Sequence, residues 1–144
     1  MKLCVINGPN LNKLGQREPE IYGDQTLEDI QAYTESKLKE LGYKVDLEWF
    51  QSNIEGEIVD KIQSLTQDAY EGLVINPAAY THTSIAIYDA LKLLQIPVVE
   101  VHLSNTHARE SFRSTKLTSK AATTIMEGLK DRAYLMGILS HLVK

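Results

Sequence analysis

Residues 73–79 read Leu73-Val74-Ile75-Asn76-Pro77-Ala78-Ala79, a short apolar run that changes abruptly into amide, proline and small residues. A continuous apolar run of this length between turn-forming residues is typical of a strand that is buried on both faces. The polar residues that follow it mark the carboxyl end of the strand, where open parallel sheets bind their ligands. This stretch therefore indicates both a sheet core and the edge at which a site is expected.

The alternation of apolar and polar stretches continues on both sides of this segment. Three further apolar runs have strand length, and β-branched residues favour a fifth strand within 122–128. Between them lie apolar residues at helical spacing, with Thr26 as a typical helix N-cap and Gly42 as a typical helix end. We predict strands at 3–6, 45–49, 73–75, 97–101 and within 122–128, helices at 26–42, 54–65, 85–94 and 131–143, and a loop at 7–25.

Strands that alternate with helices through short connections imply a parallel sheet that is covered on both faces. Five such units in 144 residues fit an α/β fold with a flavodoxin-like, doubly wound, five-stranded parallel sheet. We expect a single domain that spans residues 1–144, because this length is typical of one domain.

Composition excludes several kinds of partner and location. A net charge of −4 gives the chain no general attraction to nucleic acid or anionic lipid, so we expect neither as a partner. Cys4 is the single cysteine and lies in an apolar run, so we expect it to be buried and unreactive. The apolar stretch before Asn7 is too short for a signal peptide, and no segment approaches the length of a membrane span. We therefore expect a cytoplasmic protein.

Polar residues follow three of the predicted strands, as NGPN at 7–10, NPAA at 76–79 and HLSN at 102–105. Any one of these could be only a turn, but three of them at one sheet edge favour a ligand site. Glu100 and His102 occupy positions i and i+2 of a strand, so their side chains share a face. A carboxylate there fixes the tautomer of the imidazole, and a charge inside a strand is costly without a partner. A strand-end salt bridge without chemistry is the alternative.

Two pairs of residues leave a functional and a structural interpretation open. Arg17 and Tyr22 lie in a connection that is long for a compact domain, which is typical of a lid. A guanidinium beside a phenol favours the phenolate, a potential base, but surface packing explains the same pair. Arg109 and Arg113 share a face if they lie on a helix. They then form a cationic wall for an anionic or polyhydroxylated substrate, or a solvated surface partnered by Glu110.

The histidines show no spacing that is typical of metal ligands, so we expect no metal site. His82 lies near a helix start, where a cap or a ligand-orienting donor is the common role. His107 and His141 have no comparable context, and we expect both at the surface.

Four blocks of sequence together resemble one known family, the type II 3-dehydroquinate dehydratases of the shikimate and quinate pathways. They occur in family order and at family-like spacing across most of the chain. The blocks are INGPNLN at 6–12 with Leu14, Gly15 and Arg17; IYG at 21–23; NPAAYTHTS at 76–84; and EVHLSN at 100–105 with Arg109, Glu110, Phe112 and Arg113.

The resemblance implies a stepwise elimination without a cofactor. Tyr22 acts as a tyrosinate base beside the ketone, and Arg17 holds the phenolate in its charged form. The enolate is stabilised near Asn10 by polar groups and an ordered water. His102 then protonates the departing hydroxyl as general acid, and Glu100 orients and charges His102.

The resemblance also implies binding roles and an assembly. The backbone N–H groups of Leu103 and Ser104, with the Ser104 hydroxyl, form a carboxylate cradle. Asn76 meets the leaving hydroxyl or the carboxylate region. Family members form trimers, usually four in a dodecamer, and an acidic residue reaches the site from a neighbouring subunit. By the same resemblance, His82 and Arg113 hold the ring hydroxyls of the substrate. Asp89 matches the acidic residue that reaches the site of a neighbouring subunit.

Residues 114–117 and 128–132 depart from the family pattern, which leaves the cavity rim and the packing of the final strand and helix open. A non-enzymatic module on the same fold is the competing hypothesis. The Asn7–Gly8 turn lacks the acidic cluster of a phosphoacceptor receiver, and 7–16 lack a phosphate-binding glycine motif. An inactive relative that binds a small hydroxylated carboxylate is the alternative that stays open.

Overall fold

A computed structural model describes residues 1–67 and 69–143. Its strands are β1 (Lys2–Asn7), β2 (Asp46–Gln51), β3 (Gly72–Asn76), β4 (Val98–His102) and β5 (Thr124–Glu127). All pairs are parallel, and the strands lie in the order β2-β1-β3-β4-β5. The helices are α1 (Pro19–Tyr22), α2 (Leu27–Glu40), α3 (Glu55–Ser64), α4 (Ile85–Leu91) and α5 (Arg132–Leu142).

Alternating side chains of the central strands bury two separate cores, one on each face of the sheet. Leu3 and Val5 of β1 pack on one face with residues of α2 and α5. Cys4 and Ile6 point to the other face, where α3 and α4 cover them. Because successive strand side chains alternate between faces, a wholly apolar strand requires helices on both sides. The predicted flavodoxin-like, doubly wound sheet is confirmed.

Local signals in the sequence account for several element boundaries. The Thr26 hydroxyl accepts the Asp29 N–H at 3.1 Å, and the Asp29 carboxylate accepts the Thr26 N–H at 3.0 Å. This reciprocal capping box begins α2 at the predicted place. Cys4 is fully buried, and burial raises the pKa of its thiol to about 12, as expected for an unreactive core residue.

Two predictions about secondary structure and exposure were wrong, and one conditional interpretation does not apply. Residues 7–25 are not all loop, because a 3-10 turn (Leu11–Lys13) and α1 lie within them. Arg109 and Arg113 do not share one α-helix: the backbone of Arg109 is extended, at φ −112° and ψ −161°, and separates two 3-10 turns. His141 is partly buried, because Gly72 has no side chain and leaves room for the imidazole to bond the Leu73 carbonyl at 3.3 Å.

The register of the strands brings polar residues to one edge. Asn7 pairs with Asn76 across β1 and β3, and Ile75 pairs with Glu100 across β3 and β4. Just beyond, the Gly8 N–H donates to the Asn76 carbonyl at 2.8 Å. A Cβ at Gly8 would stand 2.4 Å from the Pro77 carbonyl oxygen, so only glycine permits this close approach.

Candidate active site

A cavity of about 220 Å³ opens at the carboxyl ends of β1, β3 and β4. This is the position at which open α/β sheets bind ligands. Its lining comes from the residues that follow each of these strands: positions 9–22 after β1, 76–82 from the end of β3, and 102–113 from the end of β4. The lining residues are Pro9, Asn10, Leu11, Leu14, Arg17, Tyr22, Asn76, Ala78, Ala79, His82, His102, Leu103, Ser104, Thr106, Arg109 and Arg113.

A buried carboxylate supports the imidazole of the cavity. Glu100 has no exposed surface, and its Oε1 accepts a hydrogen bond from His102 Nε2 at 2.7 Å. The prediction that these two side chains share a face of the strand is confirmed. Three hydroxyls also donate to the Glu100 carboxylate at 2.6–2.8 Å, those of Thr81, Thr118 and Ser119.

Burial of Glu100 would by itself raise the pKa of its carboxyl group. The hydrogen bond and charge of His102 outweigh that effect, with the hydroxyls of Thr81 and Ser119, and the net pKa is lowered. The carboxylate therefore stays ionised. Since Glu100 accepts at Nε2 of His102, this nitrogen carries a proton in either charge state of the ring. The proton that the imidazole gains or loses is on Nδ1.

The connection 11–25, called the lid below, places the phenol of Tyr22 between two guanidinium groups, those of Arg17 and Arg109. Arg109 Nη1 donates to the Tyr22 hydroxyl at 2.6 Å, and the Arg109 side chain is only 9% exposed. The guanidinium carbons of Arg17 and Arg109 lie 4.9 Å and 5.2 Å from the centre of the Tyr22 ring. The Tyr22 side chain is therefore in direct contact with two cationic groups, one of which also bonds its hydroxyl.

The backbone of the lid is built for an abrupt change of direction. Glu18 adopts a left-handed conformation at φ 39° before Pro19 starts α1, and Gly23 ends it at φ 90°. Proline at the first helical position fixes the entry, and only glycine adopts the exit without strain. One turn of helix therefore carries Tyr22 from the protein surface towards the cavity.

A buried tyrosine connects the ends of β1 and β3 beneath the cavity. The Tyr134 hydroxyl donates to Asn7 Oδ1 at 2.6 Å and accepts from Asn76 Nδ2 at 3.0 Å. Burial raises the pKa of Tyr134, so the hydroxyl stays protonated and can serve both partners. Asn76 Oδ1 accepts the Ala78 N–H at 3.1 Å. These contacts fix the amide of Asn76, and its second Nδ2 proton is available to a ligand in the cavity.

His82 and Arg113 also line the cavity. His82 Nδ1 donates to the Thr115 carbonyl at 2.7 Å, which leaves Nε2 as an acceptor when the ring is neutral. Burial lowers the pKa of His82, and the charges of Arg113, His102 and Lys116 lower it further, against the opposing effect of the Thr115 carbonyl. Arg113 Nε bonds the Glu110 carboxylate at 2.8 Å.

The structure brings together all but two of the residues that the sequence singled out. Glu100 lies behind His102, and Asp89 is exposed on α4, away from the cavity lining. Sequence reasoning missed the bond from Arg109 to Tyr22, the hydroxyls around Glu100 and the bridge by Tyr134. The chain separation of these partners gives no local signal, although Arg109 was considered as part of a cationic wall.

Two kinds of feature are absent from the residues that the structure describes, 1–67 and 69–143. No three histidine, cysteine or acidic side chains among them are placed to hold a metal ion. No helix in the same residues combines the length and the apolar character needed to cross a membrane.

The fold and the cavity define an enzyme class. A guanidinium-flanked phenol and a carboxylate-bound imidazole occupy one cavity of a flavodoxin-like sheet. A phenol and an imidazole are side-chain types that enzymes use as a general base and a general acid, so the cavity has the composition of an acid–base active site.

Comparison with known proteins identifies the family. The family model for dehydroquinase class II matches residues 1–142. A 3-dehydroquinate dehydratase of Clostridium perfringens is 51% identical over 96% of this chain and 94% of its own. One from Helicobacter acinonychis is 47% identical over 97% of this chain and 83% of its own. The crystal structure of type II dehydroquinase from Butyrivibrio crossotus superposes with a TM-score of 0.93, at 42% identity, and covers 99% of this chain and 97% of that one.

The chain belongs to the dehydroquinase class II family. The family resemblance predicted from the four sequence blocks is confirmed, and so is the prediction of a type II enzyme of this family.

Proposed function

We propose that this protein dehydrates 3-dehydroquinate to 3-dehydroshikimate by a stepwise anti elimination, as one catalytic domain and without a metal or an organic cofactor. The observation that carries the proposal is the presence of Tyr22 and His102 in one cavity, each with a partner of opposite charge behind it. The names of the relatives support the substrate.

Tyr22 is the base of the first step. Its phenolate oxygen removes the proton from the carbon beside the ketone, and the electron pair of that C–H bond forms an enolate. Arg109 and Arg17 favour the ionised phenol before the step, since their guanidinium groups surround it. Asn10, Pro9 and an ordered water lie near the enolate oxygen, which receives the negative charge.

His102 is the acid of the second step. The enolate collapses, the C–O bond to the departing hydroxyl breaks, and His102 Nδ1 donates the proton that converts this hydroxyl to water. Glu100 stabilises the imidazolium needed for this transfer, because it is ionised and accepts at Nε2. Return of the abstracted proton from Tyr22 through solvent to His102 restores both residues.

The other cavity residues bind the substrate. The backbone N–H groups of Leu103 and Ser104 and the Ser104 hydroxyl hold the carboxylate, and Asn76 donates near the departing hydroxyl. His82 accepts from a ring hydroxyl through Nε2, and Arg113 donates to the hydroxyls from the same rim.

The proposal includes an assembly and a location. Asp89 is exposed on α4 and outside the cavity of its own chain, which is compatible with a role in a neighbouring subunit. We propose a trimer, assembled further into a dodecamer, in the cytoplasm. The reaction serves the shikimate pathway to aromatic amino acids and chorismate, or the catabolism of quinate.

The decisive experiment is a turnover assay with purified protein and 3-dehydroquinate. Formation of the enone product gives new ultraviolet absorbance, and the rate is expected to be unchanged by a metal chelator. Binding of substrate without any turnover would overturn the proposal and leave an inactive binding module. Borohydride added with substrate is expected to leave the enzyme active, whereas inactivation would indicate a lysine Schiff base and a different mechanism.

A further inference from the structure

One carboxylate outside the cavity contacts both ends of a cavity-lining segment. Glu127 lies at the end of β5 and accepts from the Thr106 hydroxyl at 2.7 Å and from His107 Nδ1 at 2.8 Å. It also accepts from Lys116 Nζ at 2.7 Å. Thr106 and His107 begin the segment 106–116, and Lys116 ends it. The Glu127 side chain therefore closes this segment into a loop.

The ion pair is sheltered and ionised. The side chains of Lys116 and Glu127 are 10% and 18% exposed. Burial alone would raise the pKa of Glu127, but the bonds from Lys116, Thr106 and His107, with the charge of Lys116, lower it to about 2. A sheltered pair with several hydrogen bonds is held more firmly than an exposed surface pair.

The segment that Glu127 closes carries the arginines of the cavity. Arg109 bonds the Tyr22 hydroxyl, and Arg113 also lines the cavity. The Thr115 carbonyl accepts from His82, a third cavity residue. Regular structure between 106 and 116 is limited to the two 3-10 turns Thr106–Ala108 and Ser111–Arg113. Because such short turns do not hold a segment by backbone bonds alone, side-chain bonds at its two ends matter for its position.

We infer that Glu127 is a positioning residue, which fixes the segment 106–116 and thereby places Arg109 against Tyr22 and Arg113 against the substrate. The inference rests on the proposed function, since its consequence is a change in turnover. Glu127 itself does not line the cavity. Its effect is carried by the arginines, for which a displacement of the order of 1 Å is enough to impair catalysis.

Another carboxylate of the chain provides a matched control. Glu48 on β2 accepts from Lys61 and from the Tyr70 hydroxyl, so it also combines a lysine and a hydroxyl. It lies at the opposite edge of the sheet from β5 and outside the cavity lining. Replacement of Glu48 removes a similar set of bonds without affecting an arginine of the cavity.

The experiment compares Glu127→Ala and Glu127→Gln with Glu48→Gln in the full chain. We expect kcat/KM of Glu127→Ala to fall between about tenfold and about a hundredfold, through both a higher KM and a lower kcat. Glu127→Gln keeps one acceptor oxygen, which can still receive Lys116 and Thr106, so a smaller loss is expected. Glu48→Gln is expected to keep the kcat and KM of the parent. Thermal unfolding of all variants shows which of them remain folded.

Hydrogen exchange gives a readout that does not depend on turnover. Amide exchange in residues 106–116 is expected to become about tenfold faster in Glu127→Ala and to stay unchanged in Glu48→Gln. If the parent protein proved inactive but exchange in 106–116 were still faster in Glu127→Ala, the positioning role would hold and the proposed reaction would be refuted. An active parent with unchanged exchange, kcat and KM in both Glu127 variants would overturn the positioning role.

Substitutions that remove the bonds at one end of the segment test whether Glu127 acts through both ends. Lys116→Met removes the bond from the end of the segment to Glu127, and Thr106→Val removes one of the two bonds from its start. If Glu127 acts through both ends, Lys116→Met causes a several-fold loss in the parent and a much smaller one in Glu127→Ala, because the bond is already absent there. Equal losses in the two backgrounds would contradict the role of the Lys116–Glu127 pair.

Discussion

The lid and the β4 wall of the cavity are built in opposite ways. Glu100 and His102 lie on a central strand, with side-chain exposures of 0% and 6%, and three hydroxyls fix the carboxylate. Arg17 and Glu18 of the lid are 33% and 44% exposed and form an ion pair at 3.3 Å. The proposed acid, His102, is thus part of the folded core, whereas the proposed base, Tyr22, is attached to a one-turn helix at the surface.

This difference separates two tasks of the enzyme. A buried strand can hold an imidazole in one tautomer and one orientation, as proton donation requires. A surface turn with few buried contacts can open for the substrate and close again, since segments of low local stability are the ones that move. Substitutions on the lid should therefore affect turnover more than stability, and substitutions on the β4 wall should affect both.

The largest effect is expected on the lid, from Tyr22→Phe. The ring stays between the guanidinium groups, but the oxygen that accepts from Arg109 is lost. We expect kcat to fall by about 10² to 10⁴, the range for loss of a general base, with an unchanged thermal midpoint. Tyr33→Phe is the control, because Tyr33 on α2 is also a partly buried tyrosine and does not line the cavity. An active Tyr22→Phe would remove Tyr22 as the base.

The next largest effect is expected on the β4 wall, from Glu100→Gln. Glu100→Gln keeps the size of the side chain but replaces the charge that stabilises the His102 imidazolium. We expect a loss of about a hundredfold in kcat together with a lower thermal midpoint, since one acceptor oxygen of a buried network is replaced by an NH2 donor. Thr118→Val removes one of the donors to the carboxylate and should lose less of both. If Glu100→Gln lowered only the thermal midpoint, the carboxylate would have no part in proton transfer.

A smaller effect compares the free energies of unfolding at a strand end and at the lid. Gly8→Ala places a Cβ against the Pro77 carbonyl, and we expect a cost of about 2 kcal/mol in the free energy of unfolding. Nothing lies within 4 Å of a Cβ at Gly23, so only its φ of 90° opposes alanine there. A cost of about 1 kcal/mol is expected at Gly23. Chemical denaturation measures both, and equal costs would contradict a rigid strand edge beside a loosely packed lid.

The smallest effect is the pH dependence of the stability that Glu127 contributes by holding the segment 106–116. The folded protein lowers the pKa of Glu127 from 4.5 to about 2. Its ion pair therefore contributes stability that is fully present above a pH of 4.5 and is lost as the pH falls towards 2. Glu127→Gln should lower the stability above this window, flatten the loss of stability within it, and leave the slope at higher pH unchanged. An identical curve would show that the pair does not contribute.

Sequence predicts the strand wall better than the lid because its contacts are local. Glu100 and His102 are two residues apart, and the geometry of a strand alone makes them neighbours. Apolar runs and a capping box likewise fix strands and helix starts within a few residues. The fold and the residues at the strand ends were predictable for this reason.

The contacts that complete the site join residues that are distant in the chain. Arg109 is 87 residues from Tyr22, and Tyr134 is 127 residues from Asn7. Which side chain meets which depends on how the elements pack, and no spacing rule expresses that. The arrangement of Arg109 and Arg113, which do not share a helix face, has a similar origin. Extended backbone at Arg109 allows the first guanidinium to reach the lid while the second stays on the rim.

The hydroxyl of Tyr134 makes α5 a structural part of the pocket, and this has a consequence for folding. A chain in which the five strands have paired but α5 has not docked lacks the group that joins Asn7 to Asn76. The bond from Asn76 to the Ala78 N–H is local and does not need α5. Completion of the pocket is therefore coupled to the docking of a helix that lies on one face of the sheet, and partial undocking of α5 would loosen the Asn76 amide without breaking a strand.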